Sequence, residues 1–129
     1  MEYVKVFVTV PLARAVRAVD GRAFEKPLDS LLAVIGTFAD RGVGVIGNYD
    51  NCSFTFATGT GRYRAMPGAN PTMGTLGEVH AEEEAMVSFV APKHVLADLV
   101  RAIKDNHPYE TPAIDAFDLV LDTFDGLPS

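Results

Sequence analysis

The sequence predicts an α+β fold, with one antiparallel sheet and helices on one of its faces. Two kinds of periodicity and their order along the chain predict it. Some segments alternate apolar and polar residues as strands do, others repeat apolar residues at helical spacing, and two strand-like segments follow one another in mid-chain.

Tyr3 to Val10 alternates, with Val4, Val6, Val8 and Val10 on one face and Tyr3, Lys5, Phe7 and Thr9 on the other. It reads as a half-buried strand that Pro11 ends. Leu12, Ala15, Val16 and Val19 then follow i, i+3, i+4, i+7 spacing and predict a short helix closed by Asp20-Gly21, with Arg14 and Arg17 off its stripe. A stronger helix begins at Pro27, carries Leu28, Leu31, Leu32, Ile35, Phe38 and Ala39 on one side, and stops at Gly42.

Cys52 to Thr58 alternates with Cys52, Phe54 and Phe56 on one face, and Glu78 to Ala91 with Val79, Ala81, Ala85, Val87 and Phe89. Glu83 falls on the apolar face of the second strand, so that strand starts late or a bulge interrupts it. Gly59 to Gly77 is long for a hairpin connection and reads as a functional loop or an arm that reaches another subunit. Pro92 opens a helix with Val95, Leu96, Leu99, Ala102 and Ile103 as its buried stripe, and His107-Pro108 ends it. Ile114 to Leu121 supplies a last strand, with Phe117, Leu119 and Leu121 on one face, and the tail from Gly126 is expected to fray.

Strand, helical region, strand, strand, helix, strand is the order of a ferredoxin-like βαββαβ sandwich built from two right-handed crossovers around a central hairpin. Tyr3 and Phe7 stand opposite the valines of the first strand, so both of its faces carry bulky apolar groups. A homo-oligomer that buries the second face is therefore expected.

At 129 residues the chain is expected to form one domain, and 48% hydrophobic against 22% charged residues fits a packed globular protein. No apolar run is long enough to span a bilayer, and MEYVKVFVTV lacks a basic n-region and a cleavage site, so a soluble cytoplasmic protein with no membrane partner is expected. A net charge of -6 argues against nucleic acid, whose phosphates need clustered Lys and Arg. Cys52 is the only cysteine, which excludes an intrachain disulfide and a multi-cysteine zinc site and fits a reducing compartment; the Asn51-Cys52-Ser53 sequon is then not used.

Eight of the eleven glycines fall between Gly42 and Gly77, which marks turns and irregular backbone there. Near the other end, His107, Pro108, Tyr109 and Glu110 place an imidazole, a phenol and a carboxylate on one turn. They could bind a ligand or a metal; the plainer reading is a helix stop in which His107 caps the last carbonyls. His80, Glu82 and Glu84 occupy alternate strand positions and could hold a divalent cation, though a solvated acidic strand edge is the plainer reading. Cys52 is soft enough for copper or zinc, but a lone cysteine on an apolar strand face is usually a small core residue. His94 takes no role on a solvated helix face. GTGRYR, Gly59 to Arg64, lacks the GxxxxGK[ST] pattern and following helix of a phosphate loop. No Ser-His-Asp setting, HExxH motif or placed carboxylate pair demands an enzyme.

GVGVIGNYDNCSF (Gly42 to Phe54), GTGRYR, GANPTMGTLG (Gly68 to Gly77) and HPYETPAID (His107 to Asp115) resemble the domain inserted in the NGG-interacting-factor proteins such as YqfO, a domain that also occurs alone. HPYExP is similar to the CutA proteins as well. The resemblance implies a CutA- and PII-like ferredoxin fold, commonly trimeric, with clefts between subunits. Leu12 to Lys26 stands as an insertion relative to that pattern, and Met86 and Ser88 occupy positions where many relatives carry Arg and Glu. The halves that carry the two-metal site of full-length relatives are absent from the sequence, so their hydrolase or cyclohydrolase activity is not expected. The function expected is that of a non-enzymatic trimer that binds a small ligand or ion in an intersubunit cleft lined by Asn48, Tyr49, Cys52, His107, Tyr109 and Glu110. The alternatives are a divalent-metal (copper-type) protein with His107 and Cys52 or Glu110 as ligands, and a purely structural oligomerisation module built on the Gly59 to Gly77 arm.

Overall fold

The computed structural model describes residues 2–13 and 15–120. Strand β1 (Tyr3–Pro11) lies inside the sheet, with a strand paired along each of its edges and its even-numbered valines buried. It is followed by two short strands, β2 (Val16–Arg17) and β3 (Ala23–Phe24), helix α1 (Pro27–Gly36), strands β4 (Phe54–Arg64) and β5 (Val79–Pro92), helix α2 (Leu96–Asp105) and strand β6 (Ile114–Asp118). The main sheet has the order β4-β5-β1-β6 with every pairing antiparallel, which is the ferredoxin-like order expected.

Val4, Val6, Val8 and Val10 meet Ala85, Val87, Phe89 and Ala91 on one face, and both helices close over them with Leu31, Ile35, Val95, Leu99 and Ile103. Both helices therefore lie on the same face, as the periodicity predicts. The opposite face stays open. Lys5, Phe7 and Thr9 of β1 share it with Met86 and Ser88 of β5, Phe54 and Phe56 of β4, and Asp115 and Phe117 of β6. Phe54, Phe56 and Phe117 are 59%, 48% and 60% exposed.

Three sequence expectations are corrected. The described residues between 12 and 19 do not form a helix: Ala15 has φ 54, and the amides of Ala15 and Ala18 bond the carbonyls of Glu25 and Arg22, so Val16–Arg17 pairs with Ala23–Phe24 as a hairpin that turns at Gly21. Only four apolar positions supported the helix, and the segment alternates instead, with Val16 and Ala18 buried and Ala15, Arg17 and Val19 exposed. Gly59 to Arg64 is strand, not loop, and runs antiparallel to Val79–Glu84. The bulge lies between Phe56 and Gly59 of β4, not on β5, with Thr58 at φ 42. Phe54 and Phe56 share a face as expected, and it is the open one. The expected side chain of Leu121, the tail from Gly126, and Arg14 fall outside the described residues.

His107 fixes the passage from α2 to β6. Pairing between β1 and β6 stops at Val8 and Ile114, and the next outward carbonyl, that of Thr9, lies 2.8 Å from His107 Nε2. A carbonyl can only accept, so Nε2 donates and Nδ1 is left to accept the Tyr109 amide at 3.1 Å. The side chain is 1% exposed. Burial, opposed by the Thr9 bond, holds its pKa below the usual value of 6.5.

This packing has two measurable consequences. Leu99→Ala, at a position 0% exposed, is expected to lower the unfolding free energy by about 2–5 kcal/mol in urea titrations, whereas Val19→Ala should change it by less than about 0.5 kcal/mol. Because the folded pKa of His107 is the lower one, the unfolded chain binds the extra proton, and the stabilisation present above about pH 6.5 is lost as pH falls toward the folded value. His107→Gln keeps a donor and an acceptor; urea midpoints between about pH 5 and 7.5 should have a shallower slope in this variant than in wild type.

Candidate ligand-binding site

The β4–β5 hairpin continues past the helix layer as an arm, Gly59–Arg64 against Val79–Glu84. Small residues on the arm make room for large ones. A β-carbon on Gly61 would fall on the Glu84 carboxylate, so glycine is required there by close approach, not by its backbone angle. Glu84 is 9% exposed, and Tyr109 donates its hydroxyl to Glu84 Oε2 at 2.6 Å. Burial, then that hydrogen bond and the Glu84 charge, push the Tyr109 phenol far above its ordinary pKa. Burial, then Glu82 and Glu84, raise Tyr63 as well.

The connection after β4 folds back onto this corner. Tyr63 donates its hydroxyl to the Met73 carbonyl at 2.6 Å, Thr72 Oγ1 donates to the Pro108 carbonyl at 2.6 Å, and the Asn70 amide donates to Glu110 Oε1 at 3.0 Å. Gly74, at φ 97, lets the loop pass close to His80, where an added β-carbon would stand only 3.1 Å from the His80 side chain. Between loop and corner is a cavity of about 440 Å³ whose walls include Tyr63, Arg64, Met66, Pro71, Tyr109 and Glu110. The rings of Tyr63 and Tyr109 meet edge-on at 6.0 Å, and Tyr63 also packs on His80 at 5.3 Å. It is a mostly apolar, aromatic site with a guanidinium and a carboxylate at its edge.

Of the six residues expected to line the cleft, Tyr109 and Glu110 line this cavity, and His107 lies behind them with both ring nitrogens engaged inside the chain. Asn48 and Tyr49 line a separate cavity of about 420 Å³ with Ala39, Val45 and Asp50. Cys52 sits beside it, half-buried, its thiol 3.6 Å from the Asp50 carbonyl. The amide of Gly44, which also holds Cys52, bonds Val90, whereas Tyr109 reaches Glu84. Six residues along β5 separate these anchor points, which at about 3.3 Å per residue is roughly 20 Å. A single chain does not bring the two groups together.

His80, Glu82 and Glu84 do point the same way, as alternation requires, but Glu84 is not part of a solvated edge, and His80 Nε2 is buried without a hydrogen-bond partner, 3.7 Å from Glu82 Oε1. No group of three His, Cys, Asp or Glu among the described residues is arranged to hold a metal ion. Sequence reasoning missed Tyr63 and Gly61 as parts of the site. Their signal was the spacing of Gly59, Gly61 and Tyr63 on one strand face, since paired glycines in a strand mark a close approach.

No family model matches the chain. It is 40% identical over 94 residues to the GTP cyclohydrolase 1 type 2 homolog of Mycobacterium tuberculosis, covering 73% of this chain and 24% of that protein. It is 32% identical over 99 residues to the homolog of the same name from Listeria monocytogenes, covering 76% and 26%. The chain thus spans about a quarter of the length of the curated relatives it matches. Among solved structures, a Bacillus cereus protein related to NIF3 matches with a TM-score of 0.68 and 27% identity, over 93% of this chain and 26% of that one. The divalent cation tolerance protein Cut A1 of Thermus thermophilus matches with a TM-score of 0.57 over 95% and 87%, and at 20% identity it bears on the fold alone. The sheet order, the shared sequence and the two structural likenesses agree: the chain belongs to the NIF3-related family as its CutA-like domain.

Proposed function

We propose that this chain is a non-enzymatic domain that binds a small molecule or ion and works as a homotrimer. The observation that carries the reading is the aromatic cavity between the loop after β4 and the His107–Glu110 corner. It combines a largely apolar wall, Tyr63 and Tyr109 rings, and the charges of Arg64 and Glu110, which is how small-ligand sites are commonly built. In the trimer, Asn48, Tyr49 and Cys52 of one copy complete the site next to Tyr109 and Glu110 of another. The GTP cyclohydrolase name belongs to relatives about three times as long, and the reading does not depend on it.

Coordination of a divalent ion by His107 and Cys52 or Glu110 has weaker support. Ligation at His107 would have to replace its bond to the Thr9 carbonyl or the Tyr109 amide, and Cys52 lies at the other end of the sheet.

Isothermal titration with purine nucleotides and with divalent metal ions tests the proposal. Binding by one of them is expected, and Thr111→Trp, which places an indole at an exposed position on the cavity wall, should weaken it at least about tenfold without unfolding the chain. No heat from any of these compounds, or binding unchanged in Thr111→Trp, would count against a ligand in this cavity.

A further inference from the structure

The open sheet face carries a second recess, about 390 Å³, walled by Phe7, Thr9, Phe56, Gly61, Glu84 and Met86. Its lining is mostly apolar, and Glu84 brings the one ionisable side chain to it. Glu84 as a residue is nine-tenths buried and its carboxylate has the Tyr109 hydroxyl as its hydrogen-bond partner, yet no Lys or Arg pairs with it among the described residues. A buried carboxylate held by one hydroxyl is poorly compensated, and a cation arriving from outside would correct that. The recess opens onto Phe54, Phe56, Phe117 and Met86, too broad an apolar surface for a small amine alone.

Lys5 lies on this same face, opposite Phe117 and Val90, and makes no ion pair among the described residues. The other basic side chains among the described residues lie elsewhere. Arg62 lies on the reverse side of the hairpin arm and Arg64 on the wall of the first cavity, Lys26, Arg41, Lys93, Arg101 and Lys104 belong to the helix layer and its approaches, and Arg17 and Arg22 to the β2–β3 hairpin. Within one chain Lys5 cannot reach Glu84, because Glu84 is opposite Pro11, six residues along β1, or roughly 20 Å away. In a second copy laid on the open face it can.

We propose that the open face binds a second copy of this chain, with the Lys5 ammonium of one copy entering the recess of the other to pair with Glu84. The inference rests on the homo-oligomeric reading above and specifies its contact. The lysine stem runs along Phe7, Phe56 and Met86, its charge meets the carboxylate, and the phenylalanines around the recess are covered. A face that carries both the cation and its receptor is complementary to itself, so the same contact serves a reciprocal pair or a head-to-tail ring.

Sedimentation equilibrium of wild type, Lys5→Met, Glu84→Gln and the double variant tests it. Glu84→Gln retains an acceptor for Tyr109, and Lys5→Met retains the apolar stem. Wild type should associate, each single variant should raise the dissociation constant at least about tenfold, and the double variant should be no weaker than the worse single one, since the two side chains act as one pair. Should Glu84→Gln fail to fold, Lys5→Glu carries the test, with a loss larger than that of Lys5→Met. Wild type that stays monomeric at all concentrations, as when a different protein covers this face, overturns the assembly reading and this contact with it. An oligomer indifferent to Lys5, or losses that simply add, overturns the contact and leaves the assembly standing.

Discussion

The site depends on a neutral imidazole in a place where a strand has run out. Once β6 stops pairing at Ile114, the Thr9 carbonyl faces an edge without a ladder partner, and a buried carbonyl left unpaired is expensive. His107 supplies the donor from its side chain and receives the Tyr109 amide on its other nitrogen, so one ring continues the sheet edge and aims the next residue but one. Pro108 between them has no amide to compete, and its carbonyl is taken by Thr72. Because both ring nitrogens are satisfied, the ring can be buried at little cost as long as it stays uncharged.

From that point a series of hydrogen bonds leads outward: Tyr109 to Glu84 on β5, Thr72 to Pro108, Asn70 to Glu110, and Tyr63 to Met73. The arm formed by the far halves of β4 and β5 lies beyond the helices and has no apolar layer beneath it, as the exposure of Val79 and Ala81 confirms. Polar contacts and the close approach at Gly61 hold it instead. The bulge between Phe56 and Gly59 marks where the strand pair leaves the packed part of the sheet and becomes this arm.

What was legible in the sequence, and what was not, divides along one physical line. Period two and period 3.6 identify residues that share a face, so the four valines of β1, Leu31 and Ile35 of α1, and Leu99 and Ile103 of α2 were assigned to a common side correctly. Periodicity is silent on which face is covered, so the shared face of Phe54 and Phe56 was legible but not that it is the open one. Leu12 to Val19 fits both periods over too few residues to decide, and its backbone bonds to Arg22 and Glu25 decide it. In the site, Tyr109 and Glu110 were legible because a proline-directed turn concentrates them. The burial of Glu84 was not, because it comes from a glycine on a neighbouring strand and a tyrosine 25 positions away.

The position of Tyr109 has a consequence for how binding and assembly bear on each other. Its ring is a wall of the cavity toward the loop, while its hydroxyl holds the carboxylate that ends the recess on the open face. A ligand that shifts this ring moves the acceptor that a neighbouring copy would use, and a cation on Glu84 weakens the carboxylate's hold on the hydroxyl. Any difference in affinity produced in one direction must appear equally in the other, because coupling free energies are reciprocal. A bond from one tyrosine to one carboxylate is a short path for such coupling, and it requires no movement of the β1 core, whose valines are fully enclosed.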